Sequence, residues 1–303
     1  MFVCLIQSTD RNNPSELDIY RRAVMTTENL LTETPGSELH ATWETLATAG
    51  IGRADLKKIR SNPDLAQKIA KLLAVRERRT KYRYPSEFKP IGITDQIKTL
   101  QKVPAFAELD ASWALNDGQA WYDDLEHPEW VEKPLVYIWH EAVGGYHTAL
   151  DLVFSAIAKE RKFCNHRKGQ LTPERLRQAE VTREAEAMLK ADQPGGFLIV
   201  PSQVGDRWGG YSVKEARESF DENEFGHGSL ATGCLALTHP ERLVRLEELD
   251  MDCPGDEFDH PDAGDRFDHA PYFEFYDGKV TFGTLHVGAS HDSYGSVSGS
   301  AQQ

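Results

Sequence analysis

An α+β fold is what three features of the amino-acid sequence predict. Apolar residues recur at helical spacing in several stretches, and two short apolar runs have the length of buried strands. A pair of alternating runs flanks an Asp-Gly turn. Helical and strand patterns do not alternate regularly, which favours α+β over a doubly wound parallel sheet. The expected architecture is an N-terminal helical module, then a larger mixed α/β region with a C-terminal β-hairpin.

Met1 to Ile6 reads as a short strand. A first helix is expected over 14–31, with Leu17, Tyr20, Val24 and Leu31 near one face and Pro35-Gly36 ending it. A helical pair follows at 38–49 and 53–60, joined at Ala49-Gly50-Ile51-Gly52. Asn62-Pro63 opens a further helix carrying Leu65, Ile69, Leu72 and Leu73 on its apolar face. Tyr82 to Pro90 reads as the connector that leaves this module. Beyond it, helices are expected at 94–102, 146–162, 172–190, 212–220 and 229–248. Strands are expected at 135–139 and 197–200, and the hairpin at 272–282 turns on Asp277-Gly278. The Gly/Ser-rich end from Gly288 reads as a tail or irregular loop. The predicted organisation is a helical module over 1–85, an acidic α+β domain over 86–287, and a tail over 288–303.

The chain has 303 residues and a formal net charge of −14. That charge is unevenly spread: residues 51–90 carry +8, whereas residues 91–303 carry −18. A basic island in an acidic chain is the footprint of a nucleic-acid contact surface, or of a face that docks on the protein's own acids. No apolar run approaches the roughly 20 residues that span a bilayer, so no membrane association is expected. Cys4, Cys164, Cys234 and Cys253 are far apart and form no CxxC pair, so neither a zinc ribbon nor a disulfide framework is indicated. A reduced, cytoplasmic setting is the expectation.

The segment from Leu46 to Ile59 carries the most suggestive motif. Gly50-Ile51-Gly52 forms a turn between two helical patterns, and Arg53, Lys57 and Lys58 follow it. It resembles a helix-hairpin-helix motif, with Ala49 where proline is common and Thr48 where an aliphatic residue is expected. The resemblance implies that Gly50 and Gly52 bring backbone N–H groups close to a phosphate, while Arg53, Lys57 and Lys58 add charge-assisted contacts. A helix-turn-helix reading also fits in part, and an ordinary helical hairpin with a glycine C-cap remains the third reading.

Other candidate constellations are weaker. His140-Glu141 opens like a zincin helix, but Gly144 stands where the second histidine belongs, and His147 need not share a face with His140. Gly205 to Ser212 follows a strand and precedes a helix, as ligand-binding turns do, but matches neither phosphate-loop pattern. The acidic stretch 247–268 holds ten carboxylates. Asp256, Asp259 and Asp262 recur there at every third position, on what reads as a solvated loop. Such oxygen ligands suit a divalent cation, but the irregular Pro/Gly spacing matches no known ligand cage, so the expectation is no cofactor, with weak divalent-cation binding as the alternative.

The leading expectation is therefore a non-enzymatic binding protein whose basic module contacts DNA or RNA, or a protein partner. The rival is a metal-dependent hydrolase that uses the carboxylates of 250–268 with His227, His239 or His260. A structural assembly protein is the third alternative.

Overall fold

The computed structural model describes residues 36–65 and 79–301. The chain divides into two units, Met1–Val75 and Arg76–Gln303. The strand expected at the N-terminus and the helix expected over 14–31 lie outside the described residues, as does the continuation of the helix opened by Asn62-Pro63 beyond residue 65.

In the first unit, helix α1 (Gly36–Thr48) and helix α2 (Arg53–Ser61) form a hairpin. Gly50 ends α1 with φ +87°, a left-handed conformation that glycine adopts without a Cβ clash. The N–H of Ile51 returns to the carbonyl of Leu46, so the last carbonyls of α1 find partners within the turn.

The second unit is built on two sheets. Its helices and strands, in chain order, begin with α3 (Ile93–Gln101), α4 (Ser112–Asn116), α5 (Gly118–Asp124), β1 (Lys133–Ile138) and α6 (Tyr146–Glu160). There follow β2 (Phe163–Asn165), β3 (Leu176–Gln178), α7 (Glu180–Ala191), β4 (Phe197–Gln203), α8 (Val213–Ser219) and β5 (Glu224–Gly226). The rest comprises α9 (Ser229–Thr238), β6 (Met251–Asp252), β7 (Asp256–Phe258), β8 (His269–Tyr276), β9 (Lys279–His286) and β10 (Ser298–Ser300). The α+β class holds, with a mixture of helices and antiparallel-rich sheets.

The first sheet has the order β1-β4-β10-β5, all antiparallel, with Leu135 opposite Val200 in the β1–β4 pair. All seven residues of β4 are buried; the first five, Phe197 to Pro201, form an apolar run, and the polar Ser202 and Gln203 follow. The second sheet has the order β2-β9-β8-β7-β3, with β6 also against β8. Its centre is the hairpin that turns at Asp277 (φ +50°) and Gly278 (φ +71°). Two successive positive φ values define the turn type that Asp-Gly favours. Helix α9 packs against α6, β1 and β8. Its sequence SLATGCLALT is apolar or small all round, as a helix enclosed by other elements must be.

Four sequence expectations need correction. The helix expected over 172–190 begins only at Glu180, because Leu176–Gln178 pairs with β7 as strand β3. The helix expected over 229–248 ends at Thr238, before His239-Pro240. Proline disfavours the α conformation at the residue before it. The acidic stretch 250–268 is not a solvated loop throughout: Asp252 and Asp256 lie in β6 and β7 with no exposed surface. The Gly/Ser-rich end is not a tail, since Ser298–Ser300 is a fully buried strand between β4 and β5. Small residues are a packing requirement there: a Cβ on Gly299 would sit 2.6 Å from Val200 Cγ1 and 3.0 Å from the His227 ring.

No helix among the described residues is long and apolar enough to cross a membrane.

Candidate functional site

The helical hairpin of the first unit places the sequence-predicted contact residues together. Gly52 is the N-cap of α2, and Arg53 and Lys57 are exposed on the helix that follows. Neither forms an ion pair among the described residues. Asp55 modifies the site. Its carboxylate accepts the N–H of Gly52 at 3.1 Å and pairs with Lys58 Nζ at 3.1 Å. These contacts, the Gly52 N–H foremost, hold Asp55 below the usual carboxylate range. One anion of the protein's own therefore already stands at the start of α2.

Other cations of the basic island belong to the second unit and serve it internally. Arg79 pairs with Glu215 at 2.7 Å and stacks 3.9 Å from the centre of the Tyr211 ring. Arg83 donates to the carbonyls of Thr80 and Tyr82. The +8 charge is thus only partly available to a ligand.

Asp256, Asp259 and Asp262 are not brought together. Asp256 accepts the Ser229 N–H at 2.7 Å and the Tyr146 hydroxyl at 2.7 Å from both of its oxygens, which caps the N-terminus of α9 from a neighbouring strand. Asp259 pairs with Arg266 at 2.9 Å, and Asp262 is exposed. No group of three or more His, Cys, Asp or Glu side chains poised to hold a metal occurs among the described residues.

The histidines are equally dispersed. His239 Nε2 accepts the Ile91 N–H at 3.1 Å, and its Nδ1 meets Thr238 Oγ1. His260 stacks on His269 with ring centres 4.7 Å apart. His140 packs on Trp139, while His147 reaches the Leu176 carbonyl, so these two share no ligand position.

His227 lies 2.8 Å from Ser202 Oγ, a spacing that resembles an activated serine. The surroundings assign it a different role. Ser202 Oγ also lies 2.9 Å from the Val200 carbonyl, so its proton has a backbone acceptor beside the imidazole. His227 Nδ1 has no hydrogen-bond partner among the described residues, and both residues are buried. Burial pushes the His227 imidazole down to about 3, which keeps it neutral. The turn at Gly205 to Ser212 likewise serves the core: Trp208 is fully buried, and its Nε1 donates to Glu224 Oε1 at 2.8 Å.

An open groove that the sequence did not single out runs along α7. One end is a cavity of about 460 Å³ beside Thr182, Arg217, Phe220 and Pro254. The other is a cavity of about 250 Å³ beside Ala185, Met188 and Ala301. Val181, Glu222 and Glu224 line both, so the two are continuous. Val181 is 64% exposed and Met188 38% exposed. The signal for this face was present in α7: Val181, Ala185 and Met188 recur at i, i+4 and i+7 beside the stripe that faces the core.

Compared with known proteins, the chain matches no family model, no curated protein and no solved structure, so its function rests on the chemistry of its own residues.

Proposed function

We propose that the chain is a non-enzymatic binding protein that contacts the phosphate backbone of DNA or RNA through the α1–α2 hairpin. The supporting observation is the pair of exposed cations, Arg53 and Lys57, on the helix that leaves the Gly50-Ile51-Gly52 turn. The N-terminus of α2 adds the positive end of a helix dipole to the same place. Asp55 opposes a phosphate there and ties up Lys58. Contact of this kind is weak, reads charge rather than base sequence, and falls steeply as salt displaces it.

Fluorescence polarisation with a labelled duplex and a labelled single strand tests the reading. Arg53→Glu combined with Lys57→Glu abolishes binding. Asp55→Asn keeps a side-chain cap, frees Lys58, and tightens binding about threefold to tenfold. Circular dichroism verifies that both variants keep their helices. Absence of binding at low salt, or binding that ignores salt, rejects the reading.

A further inference from the structure

We propose that the groove along α7 is a docking site for a basic polypeptide segment of a partner protein, one that carries Lys or Arg beside an apolar anchor. This goes beyond the nucleic-acid reading and concerns a different unit of the chain.

Charge complementarity chooses the occupant. Five carboxylates with exposed or part-exposed side chains line the two cavities, Glu180, Glu184, Asp221, Glu222 and Glu257, and a sixth acid, Glu224, is buried behind them against Arg207. The one cation in the lining, Arg217, is already committed. Its Nε donates to the Pro254 carbonyl and its Nη2 to the Asp256 carbonyl, both at 2.8 Å. Several of the acids have partners of their own. Glu257 holds Arg177 at 2.7 Å, Asp221 holds Arg207 at 2.7 Å, and Glu180 lies 3.6 Å from Arg183. Glu184 and Glu222 are exposed, on α7 and on the turn before β5, and neither makes an ion pair among the described residues. Both line the smaller cavity, from two different elements, which leaves uncompensated negative charge at its rim.

Between those acids the groove is apolar. Val181 and Met188 expose carbon one helical repeat apart, with Ala185 between them, and the Phe220 and Phe225 walls lie opposite. An apolar floor inside an acidic rim suits a side chain that buries its anchor while flanking ammonium or guanidinium groups meet the carboxylates. A nucleic acid is repelled by the same rim. An acidic or purely apolar segment satisfies only half of the surface.

The test uses the full chain and a short fluorescein-labelled peptide of Lys, Leu and Gly, with two comparison peptides in which Glu replaces Lys or Gly replaces Leu. The Lys/Leu peptide binds, and the two comparison peptides bind at least about tenfold more weakly. Glu184→Lys combined with Glu222→Lys weakens the Lys/Leu peptide at least about tenfold. Val181→Asp does the same through the loss of the apolar anchor. All three substitutions are at exposed positions, so thermal unfolding stays within a few degrees of the parent. Glu108→Lys, an exposed charge reversal outside the groove, leaves affinity unchanged. Equal weakening by Glu108→Lys shows diffuse attraction to an acidic protein and overturns the proposal. So does retention of affinity by Val181→Asp or by the double charge reversal, or failure of the Lys/Leu peptide to bind. Oligonucleotide binding at the first unit is unaffected by any of these variants, so the two readings fail separately.

Discussion

Two buried aspartates show how differently one residue type is used. Asp256 has both oxygens engaged by Tyr146 and the Ser229 N–H. Asp252 is equally buried, but neither of its oxygens has a hydrogen-bond partner among the described residues. Burial, with the nearby Asp250 charge, holds the Asp252 carboxyl well above the usual range. The two sites therefore respond unequally to substitution. Asp256→Ala strands a helix N–H and a tyrosine hydroxyl in the interior and costs about 2–4 kcal/mol. Asp252→Asn keeps the shape, breaks no hydrogen bond to the carboxyl and removes a charge that burial disfavours, so it costs less than about 1 kcal/mol. Urea denaturation of the two variants measures the contrast, and equal losses refute it. The sequence hides this distinction. A carboxylate among Pro and Gly reads as solvated, and only a contact with a distant helix reveals that Asp256 caps α9.

At the scale of elements, two glutamine side chains stand in for missing strands. Gln96 donates to the Pro134 carbonyl at 2.8 Å and accepts the Val136 N–H at 2.9 Å, which closes part of the outer edge of β1. Gln193 makes the same pair of bonds to the carbonyl and N–H of Ile199 in β4. An unpaired strand edge is a template for association. Gln96→Leu and Gln193→Leu each leave two backbone groups without partners and lower stability by about 2–4 kcal/mol. Light scattering on warming shows earlier aggregation for Gln96→Leu, because its site lies on an outer strand. Unchanged melting and scattering contradict this assignment. The elements themselves were legible where local chemistry decides them. Asp277-Gly278 demands a tight turn, and Phe197 to Val200 can only be buried. They were illegible where a distant partner decides. Nothing near Ser298 announces that β4 and β5 leave a slot that only small side chains fit. The acidic rim of the groove was hidden for the same reason, since Glu184 and Glu222 come to line one cavity only after folding.

For the whole molecule, the buried acids govern how stability depends on pH. Burial pushes Glu132, Glu186, Glu224 and Asp250 each up to about 7, against ordinary values of 4.5 for the glutamates and 3.8 for the aspartate. The fold therefore binds more protons than the unfolded chain between those ordinary values and 7, so their contribution declines as pH rises through that window. Two histidines act in the opposite sense. Burial lowers His227 to about 3 and His239 to about 4, from an ordinary 6.5. The unfolded chain takes up protons that these histidines refuse, so stability is lost as pH falls below 6.5. The two effects oppose each other below 6.5, and the acids act alone above it. The melting temperature consequently peaks in mildly acidic solution and falls from pH 6.5 toward about 8, and Glu186→Gln flattens that fall. A melting temperature that climbs steadily over this range disproves the account.

The position of β10 also bears on how the chain acquires its fold during synthesis. It is the last strand in chain order among the described residues, yet it lies between β4 and β5, pairing with the end of β4 and with all of β5. The first sheet stays split while these residues are still inside the ribosome. Until they emerge, β5 has no neighbour and the buried slot beside His227 stands open. Such long-range closure makes the final step slow compared with the hairpin of β8 and β9, which needs only its own turn. While β10 is unpaired, the open edge of β4 and the unpaired β5 are the association-prone part of this sheet.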